Sequence, residues 1–267
     1  MNPRLAAIVS TLVLLLAVAA GAEDATPTAL KLRPKSASRA PKVARDTGPL
    51  QPDVDVIDAP TTAVLDYAGY SSRSRLYSKG GLLQYASFGV YPGINLGASV
   101  AVDSIIGDDQ HVRMRAPTAQ VKYRFYEGDS QLPSLAVGFD GQGNRYNPDS
   151  RRFNQRQRGF FVVATKEIGL PGVQIHPSFN VSDFDSNGVF GCIPLTVNIR
   201  DRASLLVEWD NINNWSDSRL NAGLRGHLSP NFHIDFAVRA IVSGGWYSDG
   251  AQKGLERIVQ LKYTGSF

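Results

Sequence analysis

The sequence predicts an all-β chain closed into a transmembrane, antiparallel up-and-down β-barrel of about twelve strands. Three observations carry that expectation. Apolar and polar residues alternate with period two from about residue 64 to the end; the alternating runs reach about nine to eleven residues; and tight turns alternate with longer polar links. A tilted strand needs about 9–11 residues to cross a bilayer, whereas strands of soluble domains are usually about five or six.

The runs lie near 65–77, 82–91, 94–103, 116–126, 132–140, 159–167, 173–182, 189–199, 203–210, 219–228, 232–241 and 256–267. In the third, Ile94, Leu96, Ala98, Val100 and Val102 share one side, with Asn95, Gly97, Ser99 and Ala101 on the other. Ala119, Val121, Tyr123 and Phe125 likewise oppose Thr118, Gln120, Lys122 and Arg124. Phe232, Ile234, Phe236 and Val238 oppose His233, Asp235 and Arg239. Successive side chains of a strand point to opposite faces, so each run has an apolar and a polar face. The first two runs are the least regular, and ten strands is the alternative count.

Pro92-Gly93, 127–131, 168–172, 200–202 and 229–231 are turn-like; 104–115, 141–158, 183–188, 211–218 and 242–255 are longer and polar. An even-stranded barrel with both termini in the periplasm predicts this rhythm, with short periplasmic turns and longer extracellular loops.

Ahead of the barrel the expected organisation is a signal peptide over 1–22, a disordered periplasmic arm over 23–61, and the barrel over 62–267. The first span has Arg4, an apolar stretch from Leu5 to Ala20 and an Ala20-Gly21-Ala22 cleavage site. The second is rich in Pro, Lys and Arg and shows no helix or strand period. The expected location is therefore the bacterial outer membrane, away from nucleic acid.

The formal charge of +4 and the single Cys192 are read in that light. One cysteine excludes an internal disulfide and a multi-cysteine metal site. The basic residues Arg113, Arg115, Arg151, Arg152, Arg156 and Arg158 fall in expected outer loops, where they can meet lipopolysaccharide phosphates. The lumen-facing candidates are Lys122, Arg124, Asp140, Glu208, Asp210, Arg219, Arg225, Asp235, Arg239 and Lys262. A Lys or Arg turned to lipid at mid-depth costs about 2–4 kcal/mol, so these side chains point inward, to water or to one another. A hydrated pore and a salt-bridged plug both satisfy that demand.

The final run, Val259-Gln-Leu-Lys-Tyr-Thr-Gly-Ser-Phe267, keeps Val259, Leu261, Tyr263 and Phe267 in one phase. It resembles the C-terminal signal of bacterial outer-membrane barrels, which implies that Tyr263 and Phe267 are read by the barrel-assembly machinery. The runs Val121-Lys-Tyr-Arg-Phe125, Leu132 to Gly143, and Phe160-Phe-Val-Val-Ala-Thr-Lys166 resemble a hairpin pattern of YjbH-type barrels. That group comprises outer-membrane proteins linked to exopolysaccharide production and longer than this chain. The resemblance spans residues 121–166, about a fifth of the sequence; it implies a barrel and brings no catalytic residue.

No motif points to an enzyme, a cofactor or a metal. Asp183, Asp185 and Asn187 open a D-x-D-x-N-G calcium pattern, but Pro194 stands where its final Glu belongs. His111, His176, His227 and His233 show no metal spacing. Three functions follow as expectations: foremost a channel for small polar or anionic solutes, next a non-conducting envelope-assembly barrel linked to exopolysaccharide export, and last an outer-membrane hydrolase, which would need a Ser/His or Asp/His pair at the outer rim such as His111 with Asp108 or Asp109. The expected partners are outer-membrane lipid, lipopolysaccharide and the assembly machinery, with a polysaccharide or a small polar solute as cargo.

Overall fold

Alternation becomes pairing in the computed structural model. It describes residues 51–78, 80–107, 112–142, 146–147, 152–153, 159–181, 189–199, 202–213, 218–241 and 254–267. Twelve antiparallel strands form a closed barrel: β1 (Gly69–Tyr77), β2 (Gly81–Tyr91), β3 (Ile94–Asp103), β4 (Thr118–Tyr126), β5 (Ser134–Asp140) and β6 (Gly159–Glu167) make one half. The other half is β7 (Val173–Ile175 and Ser178–Val181), β8 (Val189–Ile199), β9 (Ala203–Asp210), β10 (Arg219–Ser229), β11 (Phe232–Arg239) and β12 (Glu256–Ser266). Each strand pairs with its chain neighbours, and β1 pairs with β12 from Gly69↔Ser266 to Tyr77↔Ile258, which leaves no open edge. Among the described residues there is no helix.

The expected runs match these strands to within a few residues, with one interruption. β7 breaks at His176-Pro177: a proline has no N–H to give the ladder, and its carbonyl instead accepts from Ala164 N at 3.0 Å. The two runs that looked least regular form full strands of 9 and 11 residues.

The wall sorts its residues as the period demands. Leu96, Val121, Phe125, Phe160, Phe179, Leu224, Phe236 and Leu261 are exposed on the outside. Arg75, Ser204, Glu208, Arg225, Asp235, Gln260 and Lys262 are buried on the inside. Aromatic rings gather near the short-turn rim, where Tyr70 meets Phe267 at 5.0 Å and Tyr263 at 6.1 Å between ring centroids.

One boundary is corrected. The sequence placed residues 23–61 in a disordered arm outside the barrel; residues 51–61 instead lie within it, with Val56 and Ala59 at 0% exposure. Residues 1–50, including the expected signal peptide, lie outside the described residues. Proline and charge do oppose a self-contained core, but this segment borrows its partners from the barrel wall. At the rim Gln51 N donates to Pro230 O at 3.2 Å. A narrow hairpin follows, closed by the Asp55↔Pro60 bridge and by Val56 N donating to Ala59 O at 3.0 Å. The chain then returns to the same rim, where Ala68 N donates to Gly89 O and Phe267 N to Ala68 O, at 2.9 and 3.1 Å. Its exit needs a glycine in β2: a Cβ on Gly89 would sit 1.9 Å from Asp66 O.

Candidate functional site

The inward residues form rungs set by strand register. One rung runs Arg225↔Asp235↔Gln260↔Arg75 from β10 across the seam to β1. Its side chains bond continuously: Arg225 Nε and Nη2 donate to the two Asp235 oxygens at 2.8 Å each. Gln260 Nε2 donates to Asp235 Oδ2 at 2.9 Å, and Arg75 Nε to Gln260 Oε1 at 3.0 Å. The next rung toward the long-loop rim is apolar, Leu206↔Gly223↔Ala237↔Ile258↔Tyr77. Beyond it, Arg239 pairs with Glu256, and Glu208 takes Asn221 Nδ2 at 3.1 Å.

The segment from Gln51 to Ala68, here called the strap, matches those rungs in kind. Its acids meet the cations: Asp53 Oδ1 lies 2.7 Å from Arg225 Nη1, Asp55 pairs with Arg73, and Asp58 takes Arg75 Nη1 at 2.6 Å and Arg239 Nη1 at 2.7 Å. Its apolar residues meet the apolar rung, where Val56 and Ile57 cluster with Leu206, Ala237 and Ile258. Burying two such side chains contributes about 1.5–3 kcal/mol each. Its backbone is read as well. Glu208 Oε1 accepts from the N–H groups of Ile57, Asp58 and Ala59 at 2.7, 2.8 and 2.9 Å. Three successive N–H groups around one carboxylate form the concave anion cradle known as a nest. Lys122 Nζ donates to Val54 O at 2.7 Å and Ala63 O at 3.2 Å. A polar relay fixes the returning limb, from Thr62 N to Thr165 Oγ1, His176 Nδ1 and, through His176 Nε2, Thr196 Oγ1.

Most lumen-facing candidates therefore converge on the strap or on the rungs it completes. Asp140 takes Gln120 Nε2 at 3.0 Å on the facing wall. Asp210 and Arg219, paired in register on β9 and β10, are buried nearer the long-loop rim. Arg124 is placed differently: it sits at the short-turn rim, 2.9 Å from Glu127 and partly solvated. Tyr263 is exposed on the outer wall, and Phe267 is 88% exposed beside Tyr70. Asp183, Asp185, Asn187, and His111 with Asp108 and Asp109, lie outside the described residues. Cys192 is buried among the inward residues. Among the described residues no group of acids, histidines and cysteine is arranged to hold a metal.

Sequence reasoning did not single out Arg73, Arg75 and Glu256, nor the strap acids Asp53, Asp55 and Asp58. Arg73 and Arg75 alternate with Ser72 and Ser74, so both faces of β1 are polar there and its phase is hard to read. The strap did carry a signal, since a chain basic from Lys31 to Arg45 turns acidic at Asp53, Asp55 and Asp58.

A closed antiparallel barrel with an apolar outer wall and a charged, segment-filled lumen is a membrane-spanning β-barrel. No family model matches the chain, and no curated protein matches it. Solved structures similar to it include the NanC porin, at 10% identity and TM-score 0.41 over 74% of this chain and 99% of that one. The outer membrane protein Omp33 of Acinetobacter baumannii is similar at 11% and 0.33, over 76% and 99%. A mutant of the Rh. blastica porin is similar at 10% and 0.34; 69% of this chain is covered, and the chain spans only 55% of that porin.

Proposed function

We propose that this chain is an outer-membrane barrel closed by its own strap, non-conducting in the strapped form and serving the envelope in a structural or assembly role. The supporting observation is the pairing of wall cations by strap acids across the lumen. At strap depth the wall carries Arg73, Arg75, Lys122, Arg225, Arg239 and Lys262 against Asp140, Glu208, Asp235 and Glu256. Without Asp53, Asp55 and Asp58 that set is two charges positive, and buried charge without partners is strongly destabilising. The link to exopolysaccharide export rests on the resemblance over residues 121–166, and the cellular address on the signal-peptide pattern. Lipopolysaccharide contact through the exposed Arg113 and recognition of Phe267 by the assembly machinery belong to the same proposal.

A second reading is favoured by the same charge excess: with the strap withdrawn, the barrel becomes a channel for small polar or anionic solutes. The deciding experiment is single-channel recording on the refolded mature chain across a salt gradient. The strapped barrel gives no steady conductance. Stable open channels from protein whose strap remains protected against protease would overturn the closed reading.

A further inference from the structure

The strap fills only part of the lumen. Its apolar tip leans on β9, β11 and β12, and a cavity of about 90 Å³ remains on the opposite side, against β1 to β5. Ser87, Asn95 and Gln120 line it from the wall, Asp55 from the strap, and Arg73 and Lys262 from the seam strands.

Two buried polar atoms at this cavity make no hydrogen bond: Asp55 Oδ1 and Lys262 Nζ. Lys262 is 1% exposed and Asp55 6%. They are 3.9 Å apart, too far for a direct hydrogen bond. The neighbouring charges are engaged, Arg73 by Asp55 Oδ2 and Arg75 by Asp58. What remains is one strong acceptor facing one strong donor. An anion would satisfy Lys262 and be repelled by Asp55, and a cation would meet the reverse. A hydroxyl group satisfies both, donating to Asp55 Oδ1 and accepting from Lys262 Nζ.

We propose that this cavity binds a small neutral diol of the ethylene glycol class, one hydroxyl bridging Asp55 and Lys262 and the other reaching the Ser87, Asn95 or Gln120 side chain. The volume agrees: an apolar cavity of about 150 Å³ admits the six heavy atoms of benzene, so in proportion about 90 Å³ holds about four. The ligand class follows from paired valences rather than from net charge, so it differs from the anion preference of an emptied lumen. The site requires a seated strap, because Asp55 belongs to it.

The test is saturation-transfer NMR on the refolded full mature chain in amine-oxide micelles, with ethylene glycol as probe, the bulkier tert-butanol as non-binding control and inorganic phosphate as competitor. Saturable transfer to ethylene glycol is expected, falling at least fivefold in Lys262→Met and in Ser87→Leu, which fills the cavity without removing charge. Heat-modifiable migration reports folding, and if Lys262→Met does not fold, Ser87→Leu decides. No transfer above tert-butanol, transfer unchanged in the folded variants, or displacement of ethylene glycol by equimolar phosphate would each overturn the site. Protease protection of residues 51–65, read on the same samples, separates a failed cavity from a displaced strap.

Discussion

Glu208 and Asp58 hold each other's elements by opposite means. The barrel's carboxylate accepts the Asp58 N–H at 2.8 Å, while the Asp58 carboxylate is turned onto Arg75 and Arg239 at 2.6 and 2.7 Å. Wall and strap thus each supply one anion and one set of donors, a reciprocal lock that neither could form alone.

Glu208→Ala removes the acceptor for three backbone N–H groups at once. Leaving buried donors unsatisfied costs about 1–3 kcal/mol each. The expected result is a loss of strap docking, read as at least tenfold faster proteolysis between residues 51 and 65. Heat-modifiable migration of the barrel persists, because β1 to β12 keep their backbone ladders.

Replacing all three strap acids, as Asp53→Asn, Asp55→Asn and Asp58→Asn, leaves Arg73, Arg75, Arg225 and Arg239 short of counter-charge. The strap is then expected to spend time out of the lumen. Planar-bilayer recordings should show transient openings with a reversal potential biased toward anions. Cation-biased openings would count against the assignment of wall charge.

Gly89→Ala tests the strap's exit. A Cβ there would meet the Asp66 carbonyl oxygen at 1.9 Å, and backbone cannot yield as a side-chain tip can. Strap protection should fall in Gly89→Ala while strand content, measured by far-UV circular dichroism, is retained.

Asp129 governs a turn on the short-turn rim. The Tyr126 hydroxyl, 2.6 Å from Oδ2, and the N–H groups of Leu132 and Gln131 on Oδ1 hold its pKa down to about 2. A carboxylate depressed in the folded state stabilises above its unfolded pKa, near 4, and that stabilisation is lost as pH falls through about 2. Titration of the Asp129 carboxyl carbon by NMR should give a midpoint near 2, and Tyr126→Phe should raise it.

Much of the barrel was legible because its physics is local. A strand with lipid on one side and a polar interior on the other must alternate, and β3, β4, β9 and β11 do so residue by residue. Turn chemistry at Pro92-Gly93 and 229–231 was equally readable. The strap was not, because its order comes from distant partners: Ile57 N and Glu208 are 151 positions apart. Taken alone, Asp53 to Pro60 has too little apolar surface to fold, so composition assigns it to a solvated arm. The β7 interruption was missed for a related reason, since Phe179 and Val181 resume the phase after Pro177 and hide the gap.

The strap also bears on the barrel as a mechanical object. An empty cylinder of strands resists stretching along its ladders but flattens readily into an ellipse. Here a single peptide reaches Arg73, Arg75, Arg239, Arg225 and Glu208 on the arc from β1 across the seam to β9, and Lys122 on β4 and Thr165 on β6 on the facing arc. Those contacts act as spokes from a common hub, so lateral pressure from the bilayer is carried across the diameter rather than around the circumference.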